Sequence, residues 1–346
     1  MGEQTGPVRD RGHGRAPSMA DVAAHAGVSH QTVSRVLNDS PLVKGATRER
    51  VTAAIAALGY RRNSAARLLA TNRSRRIGMV AAHLSFYGPS MIAASMQDAV
   101  HDAGYELALV GLSDPTPGDL REAVDRLLDQ AVEAIVVAVA HEGALETARG
   151  LDLPIPLVLT QGVGPDEALA VGIDQEAGGY AATAHLLDLG HRRVAHVTGP
   201  LQWVEALQRR DGWRRAHEDR GLLPGPEIEG DWTPPSGHRA GTRIGGDPEV
   251  SAVFVANDAM ALGVLTGLHE HGRRVPDDVS VVGFDDVPEA AYFWPPLTTV
   301  RQEFATLGAR AVARALEAIA GDATGPVTLV EPALVVRRST APAPRA

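Results

Sequence analysis

Near the start of the chain, His30, Gln31 and Arg35 are side chains of the kinds that read base-pair edges. An arginine can fork onto guanine, a glutamine can pair with adenine, and an imidazole can donate or accept. Ser29, Thr32, Ser34 and Asn38 surround them with short hydroxyls and an amide suited to phosphate oxygens. A second set of polar side chains falls where apolar runs end: Thr198 after RVAHV, Asn257 and Asp258 after AVFVA, Asp285 and Asp286 after VSVVGF. Open α/β sheets bind ligands beyond the carboxyl ends of their strands, so these amides and carboxylates are placed to catch the hydroxyls of a small molecule. The competing reading, a cap on the following helix, falls first on Asp258 and less on Asn257 and Asp285. His185, His191 and His196 are spaced by six and five, which does not bring them to one helix face, and His269 and His271 fall at a helix end. No metal site is expected from them. Nucleophile elbow, phosphate loop and dinucleotide glycine signature are all missing, which argues against an enzyme and against a cofactor.

The base-reading side chains need a helix held out from a small core. Ala23, Gly27 and Val33, four and six residues apart, fit a helix-turn-helix: a small residue for close approach, a glycine for the turn, a β-branched anchor for the second helix. That second helix, expected over 29–37, puts Val33, Val36 and Leu37 on one face and turns His30, Gln31 and Arg35 away. A third helix is expected to start with Thr47 as N-cap, bury Val51, Ile55 and Leu58, and stop at Gly59. RRNSAARLLATNRSRR then offers a short Ala/Leu helix with arginine at both ends, too small to be stable alone and able to fold on DNA.

From Ile77 onward apolar runs alternate with amphipathic segments. Strands are expected at IGMVAA, YELALV, AIVVAVA, IPLVLT and AVGI, and again at RVAHVTG, AVFVAND and VSVVGFD. Helices are expected over 90–103, 119–129, 176–189, 201–220, 259–271 and 304–320, and VTLVEPALVVRR follows the last. Continuous apolar strands between helices indicate parallel sheets covered on both faces. Two such sheets facing each other would gather the polar strand ends in one cleft.

DVAAHAGVSHQTVSRVLN, followed by TRERVTAAIAALGYRRNSAARLLA, resembles the headpiece and hinge of the lactose-repressor (LacI/GalR) family of bacterial transcription regulators. The similarity runs through nearly all of the remaining chain. It implies an N-terminal all-α helix-turn-helix headpiece with hinge helix, then a two-lobed α/β periplasmic-binding-protein-like (type I) effector domain crossed at three strands. The implied divisions are a disordered leader over 1–17, the helix-turn-helix domain over 18–62, hinge helix and linker over 63–75, the ligand-binding and dimerisation domain over 76–340, and a tail over 341–346. Lobe 1 would take about 76–173 plus 303–333, and lobe 2 about 174–302 plus 334–340. On the headpiece the resemblance adds Ser18, Thr47, Tyr60 and Asn63 to the DNA contacts. It also has Leu69 of paired hinge helices entering a central minor-groove step, with Ala66 packed close by.

For the cleft, the resemblance matches Arg209, in GPLQWVEALQRRDGW, to the arginine that reaches the sugar, and leaves Arg210, Arg214 and Arg215 on the surface. Trp232, in EGDW, matches the aromatic that stacks on a pyranose. Phe86, Pro89 and Ile92 would wall the first lobe, Asn257 and Asp285 would bind hydroxyls, and Gln302 and Phe304 lie in a crossing segment. Three matched positions depart from the lactose-type pattern: Gln161 stands for an acidic residue, and Trp203 and Glu205 stand for serines. WPPLTT, GDW and AND are nearer to lactose-type members than to purine or ribose members. A galactoside or other mono- or disaccharide therefore leads, with a nucleobase corepressor as the alternative; inducer and corepressor action are both open at this point.

Charge agrees with this division. The whole chain of 346 residues carries −9, but residues 1–76 hold 13 Lys and Arg against 5 Asp and Glu, a net +8, which leaves −17 on the rest. A basic end on an acidic body suits one segment that meets phosphate while the other is repelled from it. There is no cysteine, and no apolar run approaches the ~18 residues that span a bilayer. The polar first 17 residues do not read as an export signal, so a cytoplasmic, nucleoid-associated protein is expected rather than a transporter's solute receptor. The chain ends at APAPRA with no leucine heptads, and a homodimer is expected rather than a tetramer.

Overall fold

The computed structural model describes residues 17–37, 39–60, 73–113, 115–162, 169–323 and 327–344. The chain divides into two compact units, one through Arg73 and one from Ser74. Expectations for Asn38, Asn63, Ala66, Leu69, the hinge helix and the leader fall outside the described residues.

The first unit holds α1 (Met19–Ala26), α2 (His30–Leu37) and α3 (Gly45–Leu58). Ser18 starts α1 with a capping box: its amide donates to Asp21 Oδ2 at 2.8 Å, and the Asp21 amide returns to Ser18 Oγ. Gly27, at φ 63, makes the turn into α2 in a conformation that costs a glycine little. Val22, Ala23, Ala26, Val33, Val36, Val51 and Ala54 form the small core. Thr47 is not the N-cap of the third helix. Lys44 holds that place, with extended backbone and a carbonyl that accepts from the Thr47 and Arg48 amides, so Thr47 lies inside the first turn. Gly59 ends α3 at φ 61 as expected, while Ile55 and Leu58 sit half-buried at the margin of the core.

In the second unit, β1 (Arg76–Ala82), β2 (Glu106–Leu112), β3 (Ala134–Ala138) and β4 (Leu157–Leu159) form a parallel sheet in the order β2-β1-β3-β4. β5 (Val171–Ile173) pairs in parallel with β11 (Thr328–Val330), and Leu159 and Ala170 bridge this pair to β4. The other sheet has six strands in the order β12 (Ala333–Val335), β10 (Thr298–Arg301), β9 (Ser280–Asp285), β8 (Ala252–Val255), β6 (Val194–Thr198) and β7 (Glu227–Glu229). Only β12 runs antiparallel to its neighbour. The chain therefore passes between sheets three times: after β5, after β10, and between β11 and β12. That leaves the carboxyl ends of both sheets beside the crossings.

The flanking helices are α4 (Tyr87–Asp102), α5 (Pro117–Asp129), α6 (Glu142–Arg149), α7 (Gln175–Asp188), α8 (Val204–Glu218), α9 (Pro234–Gly245), α10 (Asp258–Glu270) and α11 (Phe304–Ala320). α4 begins three residues earlier than the apolar pattern indicates, because Pro89 falls in its first turn, where a missing amide hydrogen leaves no bond unmade. α6, β7 and α9 have no counterpart among the expected elements. α7 and α8 lie in close contact at Gly179 and Gly212. A Cβ on Gly212 would collide with the Glu176 carbonyl and the Tyr180 amide. This approach sets the height at which α8 carries its side chains into the cleft. Among the described residues no helix is long and apolar enough to cross a membrane.

Candidate functional site

On the first unit, His30, Gln31 and Arg35 project from α2 into solvent, opposite buried Val33 and Val36. The Ser29 hydroxyl accepts from the Thr32 amide at 3.2 Å and lies 2.9 Å from the Thr32 hydroxyl, which fixes the start of that helix. Ser34 is half-buried beside them, and so is Tyr60, which packs against the small core. Arg48 closes the turn between α2 and α3 by donating to Asp39 Oδ1 and the Ser40 carbonyl, each at 2.8 Å. Ser18 and Thr47 sit at the beginnings of α1 and α3, where amide groups are unsatisfied by the helix itself.

In the second unit all twelve residues expected around a ligand line one cleft. Phe86, Pro89 and Ile92 come from the start of α4, and Gln161 follows β4. Trp203, Glu205 and Arg209 come from the first turns of α8, Trp232 from the loop before α9, Asn257 from the end of β8, and Asp285 from the end of β9. Gln302 and Phe304 stand on the second crossing. Tyr87, Gly88, Thr160, Ile173, Gln175 and Leu307 also line the cleft and were not expected. Gln175 was open to detection, since it follows β5 just as Asn257 follows β8.

Buried hydrogen bonds run across the floor. Arg209 Nε donates to Gln175 Oε1 at 2.9 Å, and its Nη1 donates to the Ala256 carbonyl. Gln175 Nε2 donates to Gln302 Oε1 at 2.9 Å, and Gln302 Nε2 donates to Asp285 Oδ1 at 2.6 Å. The guanidinium lies 3.8 Å from the centre of the Phe284 ring and 3.9 Å from Asp285. Burial pushes Asp285 up to about 6, against the opposing pull of Arg209 and Gln302. Asp286 faces elsewhere, toward Arg337 Nη2 at 2.6 Å.

The helix cap expected first at Asp258 falls to Asn257, which lines the cleft as well. Asn257 is the cap of α10: its Oδ1 accepts from the Met260 amide at 2.8 Å, while its Nδ2 donates to the Trp232 carbonyl at 3.1 Å. Asp258 is buried behind the cleft, accepting from the Thr299 hydroxyl at 2.6 Å and the Val287 amide at 2.9 Å. Burial, reinforced by Asp285, raises its pKa well above the ordinary carboxyl range.

Aromatic rings wall the cleft. Trp203 lies 4.9 Å from His83 and meets Phe86 and Trp232 edge-on at 6.1 and 5.8 Å. Its backbone bridges to His141, and the Val204 amide donates to the Ala140 carbonyl at 2.9 Å, so the lobes touch here as well as at the crossings. Trp232 is 6 % exposed, held at φ 69, and its indole Nε1 has no hydrogen-bond partner among the described residues. Glu205 is buried in the same region, and burial pushes its pKa up to about 7 although Arg209 lowers it.

The histidines are dispersed: His185 bonds Thr340, His191 bonds Ser251 and Ser280, and His196 stacks on Phe254 and bonds its carbonyl. Burial drives His196 down to about 3, so its imidazole is neutral. Among the described residues no three His, Asp or Glu side chains could hold a metal ion.

Residues 18–63 match the family described as bacterial regulatory proteins, lacI family, and residues 183–340 match the periplasmic binding protein-like domain. The chain is 34 % identical over 332 residues to the lactose operon repressor of Escherichia coli (strain K12), covering 93 % of this chain and 90 % of that protein. The structure superposes on a crystal structure of the Lac repressor dimer bound to operator and the anti-inducer ONPF. That match has a TM-score of 0.84 and 33 % identity, over 94 % of this chain and all of the other. A complex of the transcriptional regulator CelR with cellobiose matches with a TM-score of 0.69 and 32 % identity, over 93 % of this chain and 99 % of that one.

Proposed function

As the chain belongs to the LacI family of bacterial regulatory proteins and is a transcriptional regulator of that family, we propose that it represses a sugar-utilisation operon and leaves its operator when a small saccharide binds between its lobes. The observation that carries the effector reading is the cleft itself: convergent amides, carboxylates and one guanidinium ringed by indole and phenyl walls, the composition that suits a pyranose. A galactoside is the leading candidate, and cellobiose, found on a relative, is the next. The second reading is a nucleobase acting as corepressor; because Trp203 and Trp232 meet edge-on at 5.8 Å, such a base would stack on the face of one indole and not between the two.

Two headpieces of a homodimer would enter successive major grooves of a pseudo-palindrome, each presenting His30, Gln31 and Arg35 to base edges. Tyr292 and Trp294, 88 % and 93 % exposed, are apolar surface that a second copy would cover. The saccharide must prefer the arrangement of lobes that is incompatible with DNA. Moving from mostly bound to mostly free takes a differential of several kcal/mol, about 5 for a full switch, and tight binding alone moves nothing. In a cytoplasmic setting the acidic effector domain would leave phosphate contact to the headpiece.

The test pairs two measurements. Selection from a randomised duplex pool should return a palindrome. A thermal-shift screen of lactose, galactose, cellobiose, ribose and purines should then yield a ligand that weakens binding to it. A protein with no preference for any palindrome over scrambled duplex would sink the regulatory reading, and a purine that tightens binding would replace the saccharide one.

A further inference from the structure

We propose that Glu205 selects the effector: it accepts hydrogen bonds from the hydroxyls of a neutral saccharide and turns anionic sugars away. This rests on the saccharide reading above and narrows it. Glu205 lies in the first turn of α8 with 6 % of its surface exposed, and it borders both the cleft and an adjoining compartment lined by Asp174, Gln208 and Arg215. Among the described residues neither carboxylate oxygen has a hydrogen-bond partner of acceptable geometry; the backbone amide of Glu205 itself and Gln161 approach closely enough to lower its pKa but close no such bond. The other buried charged and amide side chains of the cleft are all engaged, Arg209 with Gln175, Gln302 with Asp285, and Asn257 with Met260 and Trp232.

An acceptor buried without a donor is costly, and a ligand that supplies hydroxyls removes the cost. The indole Nε1 of Trp232 is the complementary case, a buried donor without an acceptor among the described residues. The molecule that satisfies both must carry donors and acceptors on a compact frame, as a polyol ring does. Charge narrows the choice. Arg209 is already opposed by Asp285, and Asp258 lies behind, so Glu205 is an acid with no cation of its own. A uronate or sugar phosphate would add a second.

The titratable and charged groups around Glu205 are Arg209 on its own helix, Asp285 at the end of β9, His83 and His141 beside Trp203, and Asp174, Glu176 and Arg215 along the adjoining compartment. Arg209 is the charged group that acts on it most. Burial holds Glu205 near 7, and hydroxyl donors favour its ionised form, so saccharide affinity rises with pH through neutrality.

Calorimetry on the full chain tests this with lactose, cellobiose and galactose beside galacturonate and galactose 6-phosphate. The wild type should bind a neutral member at least about tenfold more tightly than its anionic counterparts, with affinity rising roughly twentyfold from about pH 6 to pH 8, about tenfold of it through Glu205. In Glu205→Gln, which keeps the shape of the side chain, the preference for the neutral sugar should collapse. The pH dependence should fall to about twofold, the part Asp285 contributes. Glu205→Ser should lose the same preference. If the wild type binds neutral sugars but Glu205→Gln keeps both selectivity and pH profile, this inference fails and the saccharide reading stands. If no neutral sugar binds the wild type, both fall.

Discussion

Glu205 ought to be a burden on the empty protein. Its carboxyl is held at about 7 in the folded chain against an ordinary 4.5, and burial is the main cause. A folded pKa above the unfolded one means that stability is complete below the unfolded value and is lost as pH rises through the folded one. The full difference, taken at 1.36 kcal/mol per pH unit, is about 3 kcal/mol, of which about 2 develops between about pH 5.5 and pH 8. Glu205→Gln removes the ionisation while keeping the volume. Without ligand, the variant should gain on the wild type by about that amount across that interval, read from urea unfolding at each pH. All four tryptophans lie beyond residue 200, so indole fluorescence follows the effector domain without a contribution from the headpiece. Asp285, also raised by burial, titrates in both proteins and largely cancels. A stability difference that stays constant with pH, or that favours the wild type more as pH rises, would refute the reasoning.

Arg35→Ala should cost roughly 1–3 kcal/mol of discrimination at one base pair while non-specific binding survives, measured by anisotropy on single-pair operator variants; a uniform loss on every sequence would count against base reading. Arg209→Ala removes the donor to Gln175 and the cation beside Asp285. It should leave operator binding intact and abolish the response to saccharide, and a persisting response would misplace the effector site. Gly212→Ala drives a methyl into the backbone of α7 and should cost about 1–3 kcal/mol in denaturant unfolding along with weaker effector binding. Unchanged stability would mean that the two helices can separate freely. Trp294→Glu should shift the protein from dimer to monomer in sedimentation, and an unaltered dimer would place the interface elsewhere.

The alternation of sheet and helix was legible because strands such as IGMVAA and AIVVAVA are apolar on both faces and too short for helices. α9 was not. PPSGHRAGTRIG has the composition of a loop, and it is helical because Gly237 and Gly241 let it settle against the backbone of α10, a tertiary cause that local propensity does not carry. Thr47 drew the cap assignment by residue type alone, whereas the extended backbone at Lys44 sets the helix start. In the cleft, strand-end logic found Asn257 and Asp285 but passed over Gln175, whose amide looks like any solvated first-turn residue until Arg209 and Gln302 close on it. The remaining cleft positions came through family resemblance. No spacing in the sequence would bring Phe86, Trp232 and Gln302 together, since they meet only after the chain has changed lobes.

The tryptophans sort into three settings. Trp213 is locked in the interior with its nitrogen on the Val194 carbonyl, Trp294 is exposed on the face that a second copy would cover, and Trp203 and Trp232 meet edge-on where a guest would lodge. With the dimer contact unaltered, Trp213 and Trp294 keep their surroundings when a solute arrives, so that the change in emission belongs to the edge-on pair. The molecule thus carries its own unlabelled gauge of occupancy.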